Sequence, residues 1–167
     1  VVSDMMEPVL GIRQVQFSNG VKLNLKRTDL ERDRIRLELN VDGGAMLNTT
    51  DDPLATAMVS VLHVGGLGLH DYDELQTMLA GKSVGFRFTA DPETFRMQSI
   101  TTPRDLELQM KLIAAALSDP GYRTQAEAQY RRYLSNFFAS RNATPSAALS
   151  NALGGILSDG DPRFTTA

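Results

Sequence analysis

Apolar and polar residues alternate along "RIRLELNV", with Ile35, Leu37, Leu39 and Val41 set against Arg34, Arg36, Glu38 and Asn40. That period belongs to a strand with one wet face. Upstream, "IRQVQFSNGVKLNLKR" carries Val15, Phe17, Val21, Leu23 and Leu25 on either side of Asn19-Gly20. Asn-Gly is favoured where both turn residues need positive φ, so the stretch predicts a hairpin. Three strands therefore come first. The pattern then changes: Pro53 follows two aspartates, and Leu54 to Val64 is apolar nearly all round. This predicts a helix sandwiched between layers, with Val61 inside it, ended by Gly65, Gly66 and Gly68. Asp71, with Glu74 three residues later, predicts a capped helix from Tyr72 to Ala80.

The second half repeats strands and then helices. Val84, Phe86 and Phe88 alternate in one run and Phe95, Met97 and Ser99 in the next, with Asp91-Pro92 as the turn between them. Pro103 opens a helix whose expected apolar face is Leu106, Met110, Ile113 and Leu117, closed by Asp119-Pro120-Gly121. A longer helix from about Thr124 carries a stripe at Ala126, Tyr130, Tyr133, Leu134, Phe137 and Phe138. Thr144-Pro145 starts the last, with Leu149, Ala152, Leu153, Ile156 and Leu157. Strand runs followed by helix runs, without regular βαβ alternation, predict an α+β fold with a mainly antiparallel sheet and helices on it. With no internal repeat or linker, residues 11–167 read as a single domain and residues 1–10 as a flanking segment.

Composition narrows the classes. The 167-residue chain has a net charge of −3 and no long run of like charge, which gives no reason to expect nucleic acid. No stretch approaches the roughly 18 consecutive apolar residues of a membrane span, and "VVSDMMEPVL" lacks the order of a signal peptide. Cysteine is absent, which excludes disulfides and thiolate metal sites. The start at Val1 and the ending "DPRFTTA" read as a piece of a longer polypeptide.

Candidate chemistry is sparse. His63 and His70 are the only histidines, and three glycines lie between them. A zinc site needs three or four ligands, and helix capping accounts for Asp71 and Glu74 without a metal. "GGLG" follows a helix where a phosphate cradle would follow a strand, and it has no Lys-Ser/Thr after it. No G-x-S-x-G elbow occurs. The Tyr130, Tyr133, Phe137 and Phe138 stripe reads as core in preference to a ligand box. Taken alone, the residues describe a folded domain without a recognisable active site.

The order of signals resembles a known family. A strand pair with "FSNGVKL", then "LNVDGGAMLNTTDDPLATAMVSVLHVGGLG", then "DYDELQTMLAGKSVGFRFTAD", is similar to a domain of the pitrilysin/insulinase zinc metallopeptidases, which include the mitochondrial processing peptidases. The resemblance covers about residues 11 to 165 and implies that the C-terminal part of the domain, a helix and a strand, is missing. Active members carry an inverted zinc motif, H-x-x-E-H, on the apolar helix. Aligned with it, Val59 stands at the first histidine, Leu62 at the glutamate that activates water and His63 at the second histidine. The family's third ligand, a glutamate, would fall near Asn136 or Phe137, and no acidic residue lies between Glu127 and Asp159.

Valine, leucine and phenylalanine neither coordinate zinc nor take a proton from water. The resemblance thus implies a non-catalytic domain with no catalytic, metal or cofactor-binding residue of its own, His63 being a remnant or a satisfied core histidine. Zinc is expected only in a partner catalytic domain, in the same chain or a partner subunit. The two would enclose a chamber for an extended peptide substrate, in the bacterial periplasm. The alternative is a structural scaffold domain of the same fold whose parent has no peptidase activity. Assisting residues of the family would lie beyond Ala167, so none is nominated.

Overall fold

Asn19 and Gly20 do turn the chain, through a longer loop than a two-residue hairpin. In the computed structural model, which describes residues 1–163, β2 (Ile12–Gln16) and β3 (Lys22–Lys26) flank the turn. The Phe17 N–H donates to the Val21 carbonyl at 2.9 Å and the Gly20 N–H to the Phe17 carbonyl at 3.0 Å. Gly20 takes φ 89° while Asn19 keeps a negative φ and accepts the Val21 N–H through its side chain at 3.2 Å. One left-handed residue closing a three-residue loop serves where two were expected. Residues 1–10, read as a flanking segment, contain β1 (Ser3–Glu7), antiparallel to β2 with Asp4 opposite Val15. Arg13 grips Asp4 through two nitrogens, at 2.9 and 2.6 Å, and this holds the Asp4 carboxyl below its usual range.

The chain divides into two units, Val1–Arg34 and Ile35–Ala167. The first is the antiparallel sheet β1-β2-β3, in which Val15 is buried while Leu23 and Leu25 are exposed. The second contains another antiparallel sheet, ordered β4-β6-β5, from β4 (Ile35–Asp42), β5 (Arg87–Ala90) and β6 (Thr94–Thr101). The α+β expectation holds. Strict alternation in β4 half-buries Ile35, Leu37 and Leu39 and leaves Arg36, Glu38 and Asn40 wet. On β6 the inward line is Met97, Ser99 and Thr101, with Met97 only 2% exposed. Gly43 and Gly44 let the end of β4 close on the β5–β6 turn: a Cβ on Gly44 would sit 2.2 Å from the Asp91 carbonyl, so only glycine fits there.

A short 3₁₀ helix, η1 (Gly44–Leu47), follows β4. The apolar stretch predicted as a sandwiched helix from Leu54 begins with turns and becomes a second 3₁₀ helix, η2 (Ala57–Gly65). Val59, Val61 and Val64 crowd an α-helical turn, and the i→i+3 bonds of Ala57 to Leu54 and Val59 to Thr56 give the tighter winding. Most of η2 is half-buried, so the sandwiched reading is corrected. Helix α1 (Tyr72–Leu79) has the expected box: Asp71 accepts the Glu74 N–H at 2.9 Å, and Glu74 accepts the Asp71 N–H at 3.1 Å.

Helices α3 (Thr124–Ser140) and α4 (Pro145–Leu157) lie where their start signals placed them, while α2 (Leu106–Ser118) begins one turn after Pro103. Their faces do not all follow the pattern. On α2, Met110 and Leu117 are half exposed, and the inward line is Asp105, Gln109, Leu112 and Ile113. On α3 only Ala126 and Tyr130 are buried, and Tyr133, Phe137 and Phe138 are open. On α4 Leu149, Leu153, Ile156 and Leu157 are all exposed. Residues 164 and 165, the end of the span compared with the peptidase family, lie outside the described residues. Among the described residues no helix is long and apolar enough to cross a membrane.

Candidate functional site

The region to test for chemistry surrounds η2 and the glycine turn behind it. Gly66 and Gly68 take φ 78° and 53°, and the turn they form bonds to the segment before α3. Leu67 bridges to both His70 and Pro120, and the Gly121 N–H reaches the Gly66 carbonyl at 3.0 Å. Arg123 completes the clasp by donating to the Gly65 carbonyl at 2.8 Å and the Gly68 carbonyl at 3.0 Å. A helix end leaves carbonyls without partners, and a guanidinium matches two of them at once. Sequence reading missed Arg123; its signal was a lone cation directly after "DPGY".

Two concavities open on different sides of η2. Towards α3, a groove of about 450 Å³ is walled by Leu54, Ala57 and Val61 from one side and Tyr133, Leu134 and Phe137 from the other. Towards α1, a pocket of about 240 Å³ has His63 and Tyr72 at its rim. Their rings stand 6.0 Å apart, tilted by 59°. His63 is exposed, which removes the core-histidine reading, while Val59 and Leu62 are half-buried. Phe137 thus shares a cavity with Ala57, Ser60 and Val61 and not with His63. The aligned positions do not assemble into one site.

These residues do not fit a zinc ion. Val59, Leu62 and Phe137 offer no donor atom, and His63 lines the pocket against α1. His70 is engaged elsewhere, its Nδ1 lying 3.5 Å from the Glu74 carboxylate on the helix cap. Among the described residues no three His, Cys, Asp or Glu side chains group as a metal site.

A polar anchor, unseen in the pattern, fixes the far wall of that pocket. Asp105, at the N-terminus of α2, accepts the Ser83 N–H at 2.9 Å, and Gln109, 0% exposed, accepts the Gly85 N–H at 2.9 Å. The Ser83 N–H, and then the Arg104 guanidinium, hold the Asp105 carboxyl below its usual range against the opposing effect of burial.

No family model and no curated protein match this chain. Solved structures do. A mutant of the ferredoxin protease FusC in complex with Arabidopsis ferredoxin superposes with a TM-score of 0.80 at 14% identity, over 99% of this chain and 18% of the protease. The periplasmic protease PqqL from Escherichia coli superposes with a TM-score of 0.79 at 12% identity, over 93% and 17%. The fold is that of a pitrilysin/insulinase-type metallopeptidase domain. The chain spans less than one fifth of each protease's length.

Proposed function

We propose that this chain is a non-catalytic domain of a pitrilysin/insulinase-like zinc peptidase, forming part of the chamber wall around extended peptide substrates. One observation supports the reading: the fold is shared with such peptidases, and the positions that the resemblance aligns with two zinc ligands and the water-activating glutamate are Val59, Leu62 and Asn136 or Phe137, none of them acidic and none a histidine. Zinc and hydrolysis belong, on this reading, to a catalytic domain in the same polypeptide or in a partner subunit. Residence in the bacterial periplasm is part of the proposal and is supported by the periplasmic location of PqqL.

Metal analysis of the chelator-treated, zinc-reloaded chain, together with a peptide-cleavage assay, tests it. No retained zinc and no cleavage are expected. One tightly held equivalent that disappears on His63→Ala would overturn the reading. A parent sequence and gene neighbourhood without any H-x-x-E-H would favour the scaffold alternative.

A further inference from the structure

The loop that joins β2 to β3 carries a chemistry that its work as a turn does not use. Of the seven asparagines in the chain only Asn19 precedes a glycine; the others precede Leu25, Val41, Thr49, Phe137, Ala143 and Ala152. A backbone nitrogen can attack the side-chain carbonyl carbon of the asparagine before it and close a five-membered ring. A side chain on the attacking residue crowds that approach, and glycine leaves it open. Around Gly20 there is room: a Cβ there would meet nothing within 4 Å. Ser18, Asn19 and Gly20 are all exposed, so water reaches the reacting atoms.

The carboxamide is also held in place. Asn19 Oδ1 accepts the Val21 N–H at 3.2 Å, a side-chain turn that closes around the peptide joining Asn19 to Gly20. As the Gly20 nitrogen bonds to Asn19 Cγ, negative charge gathers on Oδ1, where the Val21 N–H already donates. One contact opposes the attack. The Gly20 N–H donates to the Phe17 carbonyl at 3.0 Å, and that bond is given up when the nitrogen loses its proton. In an exposed loop a single such bond resists only weakly.

We propose that Asn19–Gly20 is a site of spontaneous covalent modification to aspartate and isoaspartate, and that the isoaspartate form releases β3 from its sheet. The Gly20 nitrogen forms its bond to Asn19 Cγ and its proton passes to water. The bond from Cγ to the side-chain nitrogen breaks, and that nitrogen leaves as ammonia. Water then opens the succinimide. Cleavage of the ring bond between Cγ and nitrogen gives aspartate; cleavage between the main-chain carbonyl carbon and nitrogen gives isoaspartate. Either product adds one negative charge. In isoaspartate the backbone runs through Cβ and Cγ, so the loop gains one chain atom. The bonds that close it, between Asn19 Oδ1 and Val21, Phe17 and Val21, and Gly20 and Phe17, are all fitted to the shorter path. A hairpin takes its register from its loop. β3 has little else to hold it: it is an edge strand with β2 as its strand neighbour, and all five of its residues are exposed.

Incubation of the chain in mildly alkaline buffer, followed by peptide mapping with mass spectrometry and ion-exchange separation of the more acidic product, tests the proposal. Asn19 should convert while the other six asparagines stay unchanged, and the product should accept a methyl group from an isoaspartyl methyltransferase. The rate should lie within roughly tenfold of that in the free peptide Phe-Ser-Asn-Gly-Val, the factor that one exposed hydrogen bond costs. A folded chain slower than that, or faster conversion at another asparagine, would overturn the site. The release of β3 is read by hydrogen exchange. Phe17 bonds to Val21, and antiparallel pairing alternates, so Leu23 and Leu25 also bond to β2 and their amides should lose protection in the isoaspartate product. Freshly purified Asn19→Asp carries the same added charge on an ordinary backbone and keeps an oxygen for the Val21 N–H, so it should retain that protection. Unchanged protection in the isoaspartate product, or an equal loss in Asn19→Asp, would overturn the release.

Discussion

Helices α2 and α3 look alike as patterns, each with an apolar stripe at helical spacing, yet the structure uses them differently. The inward line of α2 begins with an aspartate and a glutamine that hold the backbone at Ser83 and Gly85. The aromatic stripe of α3 is buried at Tyr130 and open by Phe137, which is 36% exposed. An apolar stripe shows that a face favours burial; it does not show what covers it. A buried polar side chain is the more informative sign where it meets a partner, as Asp105 and Gln109 meet the Ser83 and Gly85 N–H groups.

That contrast can be broken, starting with the largest effect. Met97→Ala empties a nearly inaccessible position on β6 and should destabilise by about 2–5 kcal/mol in urea unfolding. Next, Gln109→Ala strands the Gly85 N–H and should cost about 1–3 kcal/mol. A cost near zero would show that α2 is held by its leucines alone. Asp105 supplies a pH signature. Its folded-state carboxyl titrates below the ordinary 3.8, so its stabilisation is present above that value and fades as the pH falls through the lower, folded one. Urea midpoints measured from neutral to acidic pH should fall on that limb, and Asp105→Asn should flatten the fall.

On the opposite side the effects shrink. The sandwiched-helix reading would have made Val61→Asp cost roughly the 3–5 kcal/mol of an uncompensated buried charge. With Val61 half-buried on a groove wall, a loss of about 1 kcal/mol is expected, near the centre of ordinary point substitutions. Phe137→Ser, which gives up ring contacts with Tyr133 and Phe138, should likewise cost no more than about 1 kcal/mol in the chain alone. A large loss there would mean that the open stripe is covered in solution.

The same contrast explains what was legible. Alternation in β4 and β6, the Asp71–Glu74 box and the Thr144-Pro145 start are local devices whose geometry follows from neighbouring residues. They stand where the sequence placed them. The turn at Gly20 was legible as a turn but not in its length, because one left-handed glycine serves a three-residue loop as well as Asn-Gly serves a two-residue one. The inward face of α2 was misread because Asp105 and Gln109 count as polar, although their partners, more than twenty residues upstream, make them interior. At the candidate site, the residue types at Val59, Leu62 and Phe137 were readable. What was not readable was that His63 faces α1 while Phe137 faces another cavity: the side chosen by a 3₁₀ helix shifts with every residue of winding.

The glycine clasp has a kinetic consequence. Arg123 reaches back across 58 and 55 residues to Gly65 and Gly68, so the contact must wait for a long loop to close. Such a closure belongs late in folding, after the local turns and strand pairs of each segment. Once formed, it ties the amides of Gly66, Gly68 and Gly121, together with their partners, into one opening unit. Their protons should exchange with solvent at a common rate. Substitution of Arg123 should accelerate all three together and leave those at the Gly20 hairpin unchanged.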